Sequence, residues 1–378
     1  MPEQSTTLPR ANPETSAFLA GGVPAIIAGP CSAESEAQLV ATAQGLQAAG
    51  ITRFRMGVWK PRTRPNSFEG VGKRAFEWLP AVRAVGDFRI ATEVANAKMA
   101  EAALLAGVDI LWIGARTTVN PFTVQEIAEA LRGAHVPVMV KNPVNPDLGL
   151  WIGALERFHL AGITDLAACH RGFTYFGRHR LRNAPQWEIP LELRRLHPDL
   201  PLFSDPSHIA GKRSLIREIS QQALDLGYDG LMIESHSAPE TALSDAAQQI
   251  SPQTLADLLQ SLTLRHPDAP QAAYHRELSA LRSKIDEADQ HLLDAISRRL
   301  EIASAIGELK SVHNVQLFQG ERWREVYRSR LQTAEELGIS PGFVRQFLQL
   351  LHLETIHKQR SESPSQPAAD SDAAERRE

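Results

Sequence analysis

Cysteine is scarce. Cys31 and Cys169 are the two cysteines in 378 residues, and they form no paired spacing, which excludes a disulfide framework and points to a reducing compartment. Long apolar runs are missing as well. No stretch of 18 apolar residues exists to span a bilayer, and Met1 to Gly21 has neither the basic start nor the apolar centre of a secretion signal. The expectation is a cytoplasmic chain with no membrane partner. A large charge of one sign is also lacking: 40 Lys plus Arg oppose 44 Asp plus Glu, a formal net of −4. No general nucleic-acid surface is therefore expected, and any basic patch must be local. The 43% apolar content is ordinary for a globular protein, and the length suggests two domains.

Residues 1–22 are polar and read as a flexible arm. Short apolar runs then recur at Ala25–Gly29, Arg53–Val58, Phe88–Thr92, Ile110–Gly114, Val138–Val140, Leu166–Ala168, Leu202–Ser204 and Leu231–Ile233. Amphipathic stretches such as Glu36–Ala49, Pro121–Leu131 and Lys212–Leu226 lie between them. Eight strand-helix alternations over roughly 240 residues predict a (β/α)8 TIM barrel across 23–264. Residues 265–271 read as a linker. From there apolar positions at Leu278, Leu281, Ile285, Leu292, Ile296, Ala303 and Ile306 recur at helical spacing, with no proline before Val312. Two further helices, near Gln319–Leu337 and from Pro341 onward, complete an all-α domain over 272–360. The polar residues 361–378 read as a disordered tail.

A barrel of this type carries its chemistry where strands end, and every predicted end bears a charged or coordinating side chain. Cys31, His208 and Glu234 follow strands one, seven and eight, which are neighbours in a closed barrel, and Asp245 lies shortly beyond. Thiolate, imidazole and two carboxylates suit a first-row divalent metal, Mn, Fe, Co or Zn. Arg55, Lys60, Arg116, Lys141 and Arg171 come from strands two, four, five and six. Five cations aimed at one mouth require a multiply charged anion or counter-ions among them. Arg62 and Thr63, on a stiff loop leaving through Pro61, suit a second phosphate. Two anions and a metal point to a condensation at a polarised carbonyl. A Schiff-base aldolase using Lys60 or Lys141 is the competing chemistry, but it would not need the metal set.

The segments Ala28-Gly-Pro-Cys-Ser-Ala-Glu-Ser35, Lys60-Pro-Arg-Thr63, Ile113-Gly-Ala-Arg116, Pro137-Val-Met-Val-Lys-Asn-Pro143, Cys169-His-Arg-Gly172, Ser204-Asp-Pro-Ser-His208 and Gly230-Leu-Met-Ile-Glu234 resemble the 3-deoxy-7-phosphoheptulonate (DAHP) synthases. The resemblance implies phosphoenolpyruvate on Arg55, Lys60, Ala115, Arg116, Lys141 and Arg171. It implies erythrose 4-phosphate at Arg62 and Thr63, and catalytic roles for Lys60 and His208. The sibling 3-deoxy-octulosonate 8-phosphate synthases carry Lys-Ala-Asn-Arg-Ser where this chain has Lys60-Pro-Arg-Thr63, which favours the four-carbon sugar.

The helical region, from Ala280-Leu-Arg-Ser-Lys-Ile-Asp286 onward, resembles the all-helical chorismate mutases. The resemblance implies a chorismate site of Arg282, Arg299, Lys310, Arg322, Thr355 and Gln359, with Lys310 and Gln359 as donors to the ether oxygen. Gln319 and Trp323 depart from it, standing where many relatives carry carboxylates. The alternative is a non-catalytic sensor of chorismate or prephenate. If the long helix is unbroken, Arg282 cannot share a ligand with Arg299 of its own chain, so a homodimer or higher homo-oligomer is expected.

Overall fold

The computed structural model describes residues 8–60, 68–265 and 271–361, apart from 11, 13, 21, 176, 178 and 179, together with residue 268. Arg62 and Thr63, the first seven residues and the expected tail from 362 onward lie outside the described residues. The chain divides into two compact units, Met1–Pro267 and Asp268–Glu378.

The first unit is a closed barrel. Strands β1 (Ala25–Gly29), β2 (Arg53–Arg55), β3 (Arg89–Val94), β4 (Ile110–Ile113), β5 (Val138–Lys141), β6 (Leu166–His170), β7 (Leu202–Ser204) and β8 (Gly230–Glu234) pair in sequence order, and β8 returns to β1. Every pairing is parallel. The strands are apolar almost without interruption because helices cover the outside and packed side chains fill the inside. Inside lie Ile27, Trp112, Met139, Cys169, Phe203 and Met232; the larger cluster lies between strands and helices. Cys169 is thus a packed core residue, remote in chemistry from a thiolate ligand, and burial pushes its thiol up to about 12.

The β1–β8 register sets Gly29 beside Glu234, so the two ends that matter most for the mouth stand side by side. Gly29 has φ 150, and a Cβ there would run into the Arg55 carbonyl; only glycine fits this approach. Strand two is shorter than the apolar run Arg53–Val58 predicts. Met56 and Val58 are buried, but beyond Met56 the backbone turns to the loop after β1, where the Ala33 amide donates to the Gly57 carbonyl at 2.9 Å.

The arm departs from its expected looseness. Phe18 is fully buried at the barrel base with its ring edge-on to Phe203 at 6.0 Å. Ser16 Oγ and the Ala17 amide both donate to the Asp165 carboxylate at 2.7 Å, and Arg53 Nε donates to the Ala17 carbonyl at 2.7 Å. The buried Phe18 ring, with Leu8 and Ala17 also buried and these polar contacts around it, docks the segment.

The second unit is all-helical, with helices Ala272–Val312, Gly320–Glu336 and Pro341–Ser361. The first has 41 residues, about 60 Å at 1.5 Å per residue. Of its side chains and backbone positions only Ala303 and Gly307 are buried. A Cβ on Gly307 would meet Gln359 Cα at 2.8 Å, so the glycine permits close contact with the last helix. A small cluster of Ala334, Val344 and Leu348, flanked by Trp323, Tyr327 and Leu331, joins the second and third helices.

Candidate active sites

At the barrel mouth, Cys31 follows β1, Glu234 ends β8, and Asp245 lies beyond it at φ 49. One donor atom from each of these three lies within 4.8 Å of the others, and Cys31 Sγ is 3.4 Å from Asp245 Oδ2. His208 sits on the short helix Pro206–Ala210, whose first amides are capped by Asp205: the His208 amide donates to Asp205 Oδ1 at 3.1 Å. Its Nδ1 is 2.8 Å from Asp205 Oδ2, and its Nε2 is 3.8 Å from Glu234 Oε1. Burial lowers the His208 pKa, against the pull of Asp205 and Glu234, and Nε2 is the ring nitrogen on the Glu234 side. The Asp205 carboxylate lies behind the ring, on the side where an outer partner of a ligating histidine stands.

Burial and then Glu234 push the Cys31 thiol up to about 12, with Lys60 opposing. For Glu234 and Asp245 burial acts upward, but His208 foremost, then Arg55 for Glu234 and Arg182 for Asp245, holds both carboxyls below the ordinary range. The Cys31 thiol and the Glu234 and Asp245 carboxylates draw together, with the His208 imidazole beside Glu234; thiol, imidazole and two carboxylates are a donor set that fits a first-row divalent ion. Cys31, His208, Glu234 and Asp245 would hold it.

Lys60, Ala115, Arg116, Lys141, Arg171 and His208 line one cavity. Lys60 Nζ donates to the Cys31 carbonyl at 3.1 Å, and Lys141 Nζ lies 2.5 Å from Asp205 Oδ2. Arg55 is fully buried behind them, bonded to Glu234 Oε1 at 3.0 Å, 3.9 Å from Asp205 and 5.1 Å above the Trp112 ring. The mutual repulsion expected of five cations is thus met in part by Asp205 and Glu234. Arg171 is different. Its guanidinium donates to two neutral oxygens, Asn183 Oδ1 at 2.9 Å and the Gly172 carbonyl at 3.2 Å. Burial, with Arg182 and Arg116 nearby and Asp205 opposing, brings its pKa down to about 10. A buried cation in that state is a place for an anion.

Sequence reasoning missed Trp112, Arg182, Asn183 and Gln248. Trp112 lies mid-strand and shows its ring to Arg55 and, at 5.8 Å, to Lys141. Gln248 Nε2 donates to Glu234 Oε2 at 2.7 Å. Neutral amides and a strand tryptophan carry no spacing signal; Arg182 could have been found only as one more cation among several between strands six and seven.

In the helical unit, Arg299 Nη1 donates to Thr355 Oγ1 at 2.5 Å, and Thr355 Oγ1 to the Leu351 carbonyl at 2.7 Å. Gln359 is buried against Gly307, and Lys310 Nζ donates to the Leu317 carbonyl at 2.6 Å. Arg322 instead pairs with exposed Glu325 at 2.6 Å, and Arg282 is exposed. Two residues were not anticipated. His352 stacks on Trp323 at 4.1 Å, and burial, then Arg299 and Lys310, lower its pKa. Arg330 lies near enough to Arg299 to lower its pKa further after burial. His352, Thr355 and Gln359 follow at three- and four-residue steps and share one face of the last helix.

A parallel barrel with a donor cluster and an anion cavity at its strand ends, fused to three helices with a cationic face, defines a two-domain enzyme class. Residues 12–266 match the model of the DAHP synthetase I family, and 281–360 match that of chorismate mutase type II. The chain belongs to the DAHP synthetase I family and carries a type II chorismate mutase domain after the barrel. A phospho-2-dehydro-3-deoxyheptonate aldolase of Thermotoga maritima is 32% identical over 241 residues, 63% of this chain and 68% of that protein. A crystal structure of a Thermotoga maritima DAHP synthase superimposes with a TM-score of 0.57 at 31% identity, covering 62% of this chain and 67% of that one. A 4-amino-4-deoxychorismate mutase of Streptomyces pristinaespiralis is 38% identical over 89 residues, 24% of this chain and 69% of that protein. Among the described residues no helix is long and apolar enough to cross a membrane.

Proposed function

We propose that the barrel condenses phosphoenolpyruvate with erythrose 4-phosphate to 3-deoxy-7-phosphoheptulonate and phosphate, in a metal-dependent reaction. The observation that carries this reading is the cluster of Cys31, Glu234 and Asp245 donors, with His208 Nε2 beside Glu234, bordering an anion cavity lined by Lys60, Lys141, Arg171, His208 and Asp245. A divalent ion on those donors would supply Lewis-acid polarisation of the aldehyde. Arg171, with Arg116 and Lys141, holds the phosphate and carboxylate of phosphoenolpyruvate, and Lys60, which lines the same cavity and donates to the Cys31 carbonyl, joins them. Arg62 and Thr63 are assigned the sugar phosphate by resemblance. The buried free thiols Cys31 and Cys169 suit the reducing cytoplasm proposed for the chain.

The helical domain is proposed to rearrange chorismate to prephenate. The reaction needs no nucleophile; it needs cations to hold a compact dicarboxylate and donors where charge develops on the ether oxygen. Arg299 beside Thr355, and Gln359 beside Gly307, supply such a face. A second reading is favoured by the Trp323–His352 stack: an aromatic wall stands where a carboxylate would read a ring hydroxyl, so a 4-amino-substituted or isomeric substrate, or binding without turnover, is the alternative.

The test of the barrel is phosphate release with erythrose 4-phosphate and with arabinose 5-phosphate, with and without chelator. Release with the four-carbon sugar alone, lost on chelation and restored by Mn2+, is expected; Cys31→Ala and His208→Ala should match the chelated enzyme. Undiminished release from metal-stripped protein would sink the metal reading. Lys60→Ala should lose condensation while chorismate turnover persists.

A further inference from the structure

The connection after β6 carries two adjacent residues that reach both halves of the barrel mouth. Asn183 is buried, and its partners fix its orientation. A guanidinium can only donate and a carbonyl only accept. Oδ1 therefore faces Arg171 Nη1 at 2.9 Å, and Nδ2 faces the His208 carbonyl at 2.6 Å. Arg182 turns the other way: its Nη1 lies 3.2 Å from Asp245 Oδ1 and 2.5 Å from Gln248 Oε1. Gln248 passes the contact to Glu234 Oε2 at 2.7 Å.

The backbone amides of Arg182 and Asn183 both donate to the Ile209 carbonyl, at 3.0 and 3.2 Å, so the dipeptide is tied to the helix bearing His208. Little slack remains around it. Gly172, at φ 77, lies where a Cβ would come within 2.8 Å of Asn183 Cβ, and a Cβ on Gly211 would come closer still to Arg182 Cβ.

We propose that Arg182 and Asn183 are positioning residues that couple the anion-binding half of the mouth to the metal-donor half, so that filling either half tightens binding at the other. The inference rests on the reading of the mouth as a site for phosphoenolpyruvate and a divalent metal. An anion that draws on Arg171 changes its hold on Asn183 Oδ1, and through Nδ2 the placement of the helix that aims His208. Arg182 does the same for Asp245 directly and for Glu234 through Gln248. Three of the four donors thus answer to one dipeptide, and linkage makes the effect reciprocal.

The test uses the full chain stripped by chelation, with Mn2+ and phosphoenolpyruvate titrated calorimetrically, each in the absence and presence of the other. In the wild type each probe is expected to tighten the other by the same factor, about tenfold or more. In Asn183→Ala both probes should still bind while the factor falls below about twofold, within the range of near-independent sites. Should that truncation fail to fold, Arg182→Lys decides. Its half-exposed side chain tolerates change, and lysine keeps the charge on a shorter side chain, drawing it back from the position of the one nitrogen, Nη1, that meets both Asp245 and Gln248, so the factor should fall there too. Undiminished coupling in a folded variant, or independent binding in the wild type, overturns the inference. A wild type that binds neither probe would instead remove the reading of the mouth on which the inference rests, and the inference with it.

Discussion

His170 precedes Arg171 and has both ring nitrogens engaged: Nε2 meets the Pro185 carbonyl at 2.7 Å and Nδ1 meets the Tyr228 hydroxyl at 3.0 Å. A carbonyl can only accept, so Nε2 carries the proton and Nδ1 accepts from the tyrosine. Burial brings the His170 pKa from 6.5 down to about 3. The folded state therefore resists a proton that the unfolded state takes up. This contribution is fully present above pH 6.5 and is lost as pH falls toward 3, at about 1.4 kcal/mol per pH unit. Between pH 6.5 and 5 the barrel should lose about 2 kcal/mol from this group. Urea denaturation from pH 5 to 8 should show His170→Gln less stable at pH 8 but with a flatter acid limb; parallel curves would refute the assignment. Cys31, His208 and Glu234 stood out in the sequence because their charge or coordinating chemistry falls at or just beyond strand ends, and Asp245 because it follows shortly after; the structure brings Cys31, Glu234 and Asp245 together. Asn183 and Gln248 did not stand out, since a neutral amide gains its meaning only from the partners that three-dimensional packing gives it.

At the scale of elements, the strands were legible because burial on both faces writes them as uninterrupted apolar runs. β1 and β7 have the boundaries of their runs, Ala25–Gly29 and Leu202–Ser204. The helix Glu188–Leu196 was missed: it carries a proline at its third position and follows a polar, arginine-rich connection, so its short periodic stretch stands out poorly. The arm was misread for a related reason. Its docking depends on Phe18 and on Asp165, 148 and 149 residues from the groups it accepts from, and no local pattern announces such a contact. Phe18→Ala removes a fully buried ring from the barrel base and should cost about 3–5 kcal/mol, read as a lower urea midpoint with the slope unchanged. Phe18→Leu should recover most of that loss. A loss under about 1 kcal/mol, the ordinary surface range, would mean the arm docks without stabilising the barrel.

On the whole-molecule scale, much of the apolar surface of the long helix is left uncovered by its own domain. Leu281, Ile285 and Leu292 of the sequence stripe are each more than half exposed, as are Leu293, Ile302 and Leu309 elsewhere on the helix, more apolar surface than a lone chain keeps in water. Arg282 lies seventeen residues before Arg299, about 26 Å along an unbroken helix, and an arginine side chain reaches only about 7 Å. The helix is continuous from Ala272 to Val312, so one chain cannot bring both arginines to one dicarboxylate. An antiparallel partner helix would cover the stripe and deliver Arg282 from the second chain, making the mutase an obligate dimer with two composite sites. Arg282→Ala and Arg299→Ala homodimers should then each be inactive as mutases. Co-refolded together, they should form mixed dimers in which one site carries both lesions and the other carries neither. Random pairing makes about half the dimers mixed, so about a quarter of wild-type mutase activity should return, by counting intact sites in a two-fold assembly. Subunit exchange shown by mass-tagged chains, with no activity recovered, would place both arginines in one chain's site and require the long helix to break in the working enzyme.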